Sequence, residues 1–286
     1  MTTVVSIIVD GVAYGMILFM ISVGLSVTMG LMRVINLAHG GFAMIGGAFC
    51  HVLSYKMGIP FLAAMALAIA ATIAVAIPLE RVIYRRIYRL GELEQVLATI
   101  GLVFLMVATA NFFLGSDQLA IRLPAFMSET VEIGVRTITI HRVLVIIAGG
   151  LIVVGLWYVL DRTRFGINLR ATVDNAGTAS ALGIDTSKVF AIAFSIGAGL
   201  AAFGGIMGAE LLPIIAFYPL QYLVLFLIVV SVGGLGSIWG SLLASVALGI
   251  LQTATLYLAS DWSAIIFYAV IMLILAIRPQ GILGRA

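Results

Sequence analysis

The sequence predicts an all-α, polytopic membrane protein with about eight or nine transmembrane helices. Of its 286 residues, 63% are hydrophobic and only 9% are charged, whereas soluble domains charge about a quarter of their residues. The apolar runs are long enough to cross a hydrocarbon core of about 30 Å as helices of about 20 residues. Because lipid offers no hydrogen-bond partner to an open backbone, helices are the expected form. We expect one transmembrane domain over residues 1–286.

Hydropathy places nine candidate spans along the chain, and eight spans remain an alternative. The stretch from Met1 to Val9 carries no Lys or Arg, and the first apolar run continues to Leu31. We therefore expect the first span to be retained rather than cleaved as a signal peptide. In chain order the candidate spans cover residues 8–31, 40–57, 60–80, 95–115, 142–160, 188–209, 217–233, 238–258 and 262–277.

Two Gly-rich stretches interrupt this pattern. Arg33–Gly47 follows the first span, and Ser231–Gly240 divides an apolar run. Either stretch fits a re-entrant or broken helix as well as a full crossing, and their pairing in the two halves of the chain is typical of an inverted repeat around a central pathway. Small residues spaced by four also predict close helix packing, within the chain or against a second subunit: Gly11/Gly15, Gly204/Gly208 and Gly236/Gly240.

The basic residues predict the orientation. Under the nine-span scheme, 11 of the 15 Lys and Arg fall in connections on one side, which the positive-inside rule assigns to the cytoplasm. The N-terminus is then outside and the C-terminal tail is cytoplasmic. Topology accounts for the net charge of +3, and no basic run interleaved with aromatics indicates a nucleic-acid partner. The cytoplasmic set is Arg33, Arg81, Arg85, Arg86, Arg89, Arg162, Arg164, Arg170, Lys188, Arg278 and Arg285.

The longest outer loop covers residues 116–141. Within it, Thr130–Ile140 alternates apolar and polar residues around Gly134, which predicts a small β-hairpin. Two interpretations of the loop stay open, a cap over the helix bundle and a docking surface for a partner outside the membrane.

Motifs for chemistry are missing from the sequence. It contains no GxSxG, HExxH or Walker A pattern, and His39, His51 and His141 are scattered rather than spaced as ligands. The single cysteine, Cys50, excludes an intrachain disulfide and a cysteine-based metal cluster. We therefore expect no enzyme activity, no metal site and no cofactor in this chain.

A few polar and glycine residues are candidates for lining a pathway. Asn36 and His39 stand next to Gly40 and Gly41 in the first Gly-rich stretch, and buried polar groups in a membrane are costly unless they find partners or water. A polar turn that joins two spans is the alternative. Because no carboxylate lies near the middle of a span, an ion-coupled carrier is disfavoured. The second stretch adds the candidates Gly233, Gly234 and Gly236.

One long polar segment, residues 161–187, separates two spans on the cytoplasmic side. Asp174 is a good N-cap, Asn175–Leu182 can form two helical turns, and Gly183 suits the left-handed position after a helix. Ala176, Ala179 and Leu182 would form one small apolar face, which predicts docking in a shallow groove of a soluble partner. Gly177 costs such a helix about 1 kcal/mol relative to Ala. The charged residues that accompany the helix are Arg164, Arg170 and Asp185.

Four motifs, in order along nearly the whole chain, resemble the inner-membrane permeases of branched-chain amino acid ABC importers. The loop motif is Asp174-Asn175 followed by 178–185, and it departs from the family pattern at Ala176-Gly177, where Pro and Glu are more usual. The other three motifs cover residues 35–42, 233–240 and 278–284.

The resemblance implies the function and the partners. It implies a permease that forms the pathway with a second homologous permease subunit in the bacterial inner membrane. It also implies two cytoplasmic ATPases that bind ATP and the loop at 161–187, and an extracytoplasmic solute-binding protein. The solute would be a branched-chain or related small amino acid. A permease for urea or short amides, and a self-sufficient carrier or channel, are the alternatives.

Overall fold

A computed structural model describes residues 2–31, 34–115, 117–133 and 136–283. Most of these residues are helical and only two short strands occur among them, which confirms the predicted all-α class. The α-helices are α1 Thr2–Ser26, α2 His39–His51, α3 Phe61–Leu79, α4 Arg85–Ile87, α5 Glu92–Leu114, α6 Ala125–Ser128, α7 Ile140–Arg162, α8 Arg164–Asp174, α9 Ala176–Ala181, α10 Thr186–Met207, α11 Tyr218–Gln221, α12 Leu223–Gly233, α13 Ile238–Leu258 and α14 Ser263–Ile277. Five-residue π-helical turns follow α1, α2 and α3 at Val27–Leu31, Val52–Lys56 and Glu80–Tyr84, and a 3₁₀ turn, Ser260–Trp262, precedes α14.

Seven helices of the described residues are long and apolar enough to cross a membrane. They cover Thr3–Met29, Phe61–Ile87, Glu92–Leu114, Ile140–Arg162, Thr186–Met207, Ile238–Leu258 and Ser260–Ile277. The two other predicted spans, 40–57 and 217–233, are occupied by the shorter helices α2 and α12. Large apolar side chains such as Phe112 and Leu151 stand exposed on the long helices, as expected where lipid is the solvent.

The core of the bundle is built around α1, which packs against α13, α10, α7 and α12. Residues 17–28 are all buried. Glycines permit the closest approach: a Cβ atom on Gly15 would lie 2.6 Å from the Ser245 carbonyl oxygen, and one on Gly249 would meet the backbone of Gly11 and Gly15. The close packing predicted for the Gly11/Gly15 pair therefore occurs within the chain.

The predicted hairpin in the 116–141 loop is confirmed. Strands β1 (Thr130–Ile133) and β2 (Arg136–Thr139) pair antiparallel. Their register places Thr130 opposite Thr139 and Ile133 opposite Arg136. Ser116, Gly134 and Val135 of this loop lie outside the described residues. Ile138 is buried, so the hairpin packs one side chain inward.

The two Gly-rich stretches differ in structure. In the second, α12 ends at Gly233 and α13 begins at Ile238, so the helix is broken there, which is one of the alternatives that the sequence leaves open. In the first, the non-helical residues among those described are 34–38, and the glycines that follow lie inside α2. A glycine there serves packing rather than a break: a Cβ on Gly46 would lie 2.5 Å from the Cβ of Ala202 in α10. Arg33 and Arg285, both used for the orientation, lie outside the described residues, and the orientation stays a prediction.

Candidate coupling loop and transport pathway

The predicted loop helix forms, but it begins one residue later than the sequence predicts. Asn175 is the N-cap of α9; its backbone is extended (φ −155°), and its Oδ1 accepts a 2.8 Å hydrogen bond from the backbone N–H of Thr178. Asp174, the predicted N-cap, is instead the last residue of α8. An N-cap must lie outside the helix to reach the third helical N–H, and Asp174 is already held in helical geometry.

The end of α9 agrees with the sequence. Gly183 has φ +85°, a left-handed conformation that favours glycine. Its N–H donates to the Ser180 carbonyl at 3.0 Å, and the N–H of Ile184 donates to the Ala179 carbonyl at 3.0 Å. This pair of bonds is a Schellman motif, which satisfies the last carbonyls of the helix. Both ends of this short helix are therefore fixed by hydrogen bonds.

The outward face of α9 differs from the predicted one. Ala179 is 2% exposed, while Leu182 is 77% exposed. Ala179 thus packs inward, against the chain itself, and cannot touch a partner in this arrangement. The exposed residues of this stretch are Ala176, Gly177, Thr178, Ser180, Ala181 and Leu182. The predicted face of Ala176, Ala179 and Leu182 is wrong in Ala179, because six helical residues must bury one side chain to be held in place.

Helix α8, which the sequence does not predict as a separate element, lies within the loop and connects α9 to α7. Leu169 is buried, and the Gly166 backbone lies so close to the Leu160 carbonyl that a Cβ would overlap it. An Nη of Arg170 donates to that same carbonyl at 2.7 Å and lies 3.3 Å from an Asp161 carboxylate oxygen. Arg164 is exposed. α8 is therefore folded back onto the end of α7, so the loop is anchored there.

Asp185 ends the loop as the N-cap of α10. Its Oδ1 accepts a 3.0 Å bond from the backbone N–H of Lys188, and its other oxygen lies 3.0 Å from the Lys188 ammonium. The backbone hydrogen bond, with the side chain of Lys188, lowers the pKa of the Asp185 carboxyl below its usual value. The charged form of the Asp185 carboxyl therefore stabilises the first turn of α10.

Asn36 is fully buried next to the first Gly-rich stretch. Its Oδ1 accepts hydrogen bonds from the Tyr84 hydroxyl at 2.8 Å and from the backbone N–H of Ala38 at 3.1 Å. Its amide nitrogen has no hydrogen-bond partner among the described residues. A buried donor without a partner costs free energy, so Asn36 holds unused hydrogen-bonding capacity in the interior. Its role in lining a pathway stays a prediction.

His39 begins α2 and is 2% exposed. A ring nitrogen, Nε2, lies 3.1 Å from the Ile21 carbonyl of α1. A Cβ atom on Gly40 would lie 3.2 Å from the nearest ring carbon of Phe226 in α12, and one on Gly41 would overlap the sulfur of Met106 in α5. These candidates lie at the meeting point of α1, α2, α5 and α12, in a closely packed interior.

Gly233, Gly234 and Gly236 form the break between α12 and α13. Gly234 and Gly236 have φ of +95° and +78°, and Gly240 packs directly on the Gly233 carbonyl. Gly236 lines a groove of about 870 Å³, which also contains residues of α7, α8 and the C-terminal tail. The break therefore lies beside the loop at 161–187, a relationship that the sequence does not predict.

Two polar contacts near Asn36 escape the sequence-based prediction. The backbone N–H of Ile35 donates to Gln95 Oε1 at 3.1 Å, and the Thr99 hydroxyl contacts the Ile35 carbonyl at 3.3 Å. Gln95 and Thr99 stand four apart at the start of α5, so they share one helix face. That spacing is the signal that could have indicated them. Asp10 in α1 is also buried, and its carboxylate accepts hydrogen bonds from the Arg142 side chain and the Tyr257 hydroxyl.

Comparisons with known proteins agree along the chain. The family model described as "Branched-chain amino acid transport system / permease component" matches residues 7–275. The chain is 29% identical to "High-affinity branched-chain amino acid transport system permease protein LivH" of Escherichia coli K12, over 96% of this chain and 94% of that protein. It is 29% identical to the corresponding protein BraD of Pseudomonas aeruginosa, over 97% and 95%.

A structural comparison supports the fold alone. A chain of the solved structure "PsaBC from Streptococcus pneumoniae in complex with Fab" matches with a TM-score of 0.50 and 10% identity, over 95% of this chain and 91% of that chain.

Proposed function

Because the chain belongs to the family of branched-chain amino acid transport system permease components, we propose that it is the membrane permease subunit of an ABC importer for branched-chain or related small amino acids. The match over residues 7–275 carries this proposal. Separate ATPase subunits would bind and hydrolyse ATP, and a second, homologous permease subunit would complete the pathway. The cytoplasmic membrane of a bacterium is the expected location, with the N-terminus outside.

The loop at 161–187 is the proposed contact with the ATPase. Its support is geometric: α9 is capped at both ends, presents Leu182 outward at 77% exposure, and is joined to α7 through Arg170. A small helix held in this way can transmit a displacement to the bundle, because its caps and the contacts of α8 with α7 limit its movement relative to the other helices. Movement of the ATPase would then reach α7 and α10 and alternate the access of the pathway.

The outer loop at 116–141 is the proposed contact with a solute-binding protein. Its support is the β-hairpin and the exposure of Gln118, Phe126 and Val131. A plain cap over the bundle is the competing interpretation. Selection of the solute by the binding protein would leave the permease free of a tight site of its own.

Reconstitution tests the function. The chain, its co-encoded permease partner and ATPases are placed in proteoliposomes with the loaded binding protein, and uptake of labelled leucine and of labelled urea is measured with and without ATP. We expect ATP-dependent leucine uptake. Uptake by this chain alone, without ATP, would contradict the proposal and indicate a carrier or channel, and ATP-dependent uptake of urea alone would assign the solute differently.

The loop contact has its own test. Leu182→Glu changes an exposed position and leaves the caps of α9 intact, whereas changes at Ala179 or Gly183 would disturb the helix itself. We expect Leu182→Glu to abolish uptake and the stimulation of ATP hydrolysis. The matched control is Leu90→Glu, because Leu90 is 43% exposed and lies on the same, predicted cytoplasmic, side of the membrane. Wild-type uptake and ATP hydrolysis in the Leu182→Glu complex would refute the contact.

A further inference from the structure

The C-terminal tail, residues 278–283, is bound to the break between α12 and α13. The N–H of Ile282 donates to the Val232 carbonyl at 2.7 Å, and the N–H of Leu283 lies 3.3 Å from the Gly233 carbonyl. These carbonyls belong to the last turn of α12, where helical partners run out. The tail therefore supplies the hydrogen-bond donors for the last carbonyls of α12, which in a continuous helix would come from the residues that follow.

Gly281 makes this contact possible. Its φ is +81°, and a Cβ there would lie 2.5 Å from the Ser231 carbonyl oxygen and 2.6 Å from the Gly234 nitrogen. Both the conformation and the space exclude a side chain. Any motion of the tail away from its seat would thus release the end of α12 and the break that follows it.

The same tail forms one wall of the groove of about 870 Å³. The groove is also lined by α8, with Leu169 and Arg170, and by the break itself, with Leu235 and Gly236. The apolar groups at its edge are about half exposed: Leu235 57%, Trp239 50% and Leu283 45%. An exposed cluster of aromatic and aliphatic groups beside an arginine is typical of a protein interface.

Lipid is an unsuitable occupant of this groove. The α8 wall carries Arg170 and Asp174, and the α7 wall carries Asp161; such charges are costly in hydrocarbon. α8 continues through Asn175 directly into α9, so the groove and the outward face of α9 belong to one continuous surface. A partner that contacts α9 can therefore contact the groove at the same time.

We propose that this groove is a second contact surface for the ATPase subunit, and that the tail transmits that contact to the break at Gly233–Gly240. This inference rests on the proposed function. The ATPase would hold the chain at two places, at α9 and at the tail, and the second contact would act on α12 and α13 while the first acts on α7 and α10. Gly281, Ile282 and Leu283 are positioning residues for the Gly-rich break.

Photo-cross-linking tests the contact in the assembled complex. Benzoylphenylalanine replaces Gln280, which is exposed at the groove, in otherwise wild-type protein bound to its co-encoded ATPases. We expect a covalent product with the ATPase. The control replaces the exposed Gln118 of the outer loop, where no such product is expected. No product at 280, from a complex that hydrolyses ATP and transports, would overturn the inference and leave the proposed function intact.

A glycine pair tests the transmission. Gly281→Ala is compared with Gly58→Ala, because Gly58 has a similar φ of +72° but nothing within 4 Å of its Cβ position. We expect both complexes to assemble, with ATP hydrolysis stimulated by the loaded binding protein falling at least about five-fold in Gly281→Ala only. Equal stimulation in the two variants would overturn the role of the tail. Should Gly281→Ala fail to assemble, Ile282→Pro replaces it in the same comparison, because proline lacks the N–H that donates to the Val232 carbonyl.

Discussion

The hydroxyl of Tyr84 donates a 2.8 Å hydrogen bond to Oδ1 of Asn36, and both residues are completely buried. Tyr84 closes the π-helical turn after α3, and its ring lies 4.5 Å from that of Phe194 in α10. Asn36 stands in the non-helical segment before α2. One hydrogen bond thus fixes that segment to the π-helical turn that precedes Arg85 and Arg86.

Tyr84→Phe removes this bond and keeps the ring contact. Because Ala38 still donates to Asn36 Oδ1, we expect a loss of about 1 kcal/mol in unfolding free energy, the lower end for a buried polar group that loses a partner. Denaturant unfolding in mixed micelles measures it. Tyr158→Phe, at a 59% exposed tyrosine, is the control. An effect of equal size in both variants would show that the bond contributes nothing specific.

Gly249→Ala places a methyl group against the backbone of Gly11 and Gly15 in α1. Overpacking of this kind costs about 1–3 kcal/mol, so we expect a lower unfolding temperature in detergent. Gly155→Ala is the matched change, since Gly155 is also helical but has nothing within 4 Å of its Cβ position. There alanine should be neutral or stabilise by up to about 1 kcal/mol. A tolerated Gly249→Ala would mean that α1 and α13 can separate freely.

Asn175→Ala removes the N-cap of α9. The cap contributes about 1 kcal/mol, which corresponds to an opening constant about five-fold larger. Hydrogen–deuterium exchange of peptides from residues 176–182 should therefore accelerate by that factor. Asn175→Asp retains an acceptor for the Thr178 N–H and should exchange as the wild type does. Unchanged exchange in Asn175→Ala would indicate that the packing of Ala179 alone holds the helix.

The start of α10 should weaken in acid. A lowered pKa of Asp185 means that the charged form stabilises the fold at pH values above the ordinary aspartate pKa of about 3.9, and that this stabilisation is lost as the pH falls through the folded-state pKa. Asp185→Asn has no carboxyl to titrate. The ratio of Lys188 amide exchange in the wild type to that in the variant should rise on acidification, and a constant ratio would contradict the cap.

Much of the protein could be predicted from local sequence patterns. The membrane helices follow from apolar runs, the hairpin from alternation around Gly134, and the end of α9 from Gly183. The family resemblance drawn from four short motifs is confirmed by the family match over residues 7–275. Each of these features depends on residues that are neighbours along the chain, which is why a single sequence contains the signal.

Other features depended on contacts between distant residues. The sequence does not distinguish Asp174 from Asn175 as the N-cap, because both are good caps and α8 decides which one lies outside a helix. It does not show that Ala179 points inward, since the surface that covers it is formed by other elements of the fold.

The sequence by itself determined the all-helical membrane class, the polar loop at 161–187 and the family. Tertiary structure alone decided that Tyr84 bonds to Asn36, and that the tail at 278–283 caps α12 beside that loop. The reason is physical. Hydropathy and capping act over a few residues, whereas a buried hydrogen bond or a close backbone contact exists only when packing brings separate segments together.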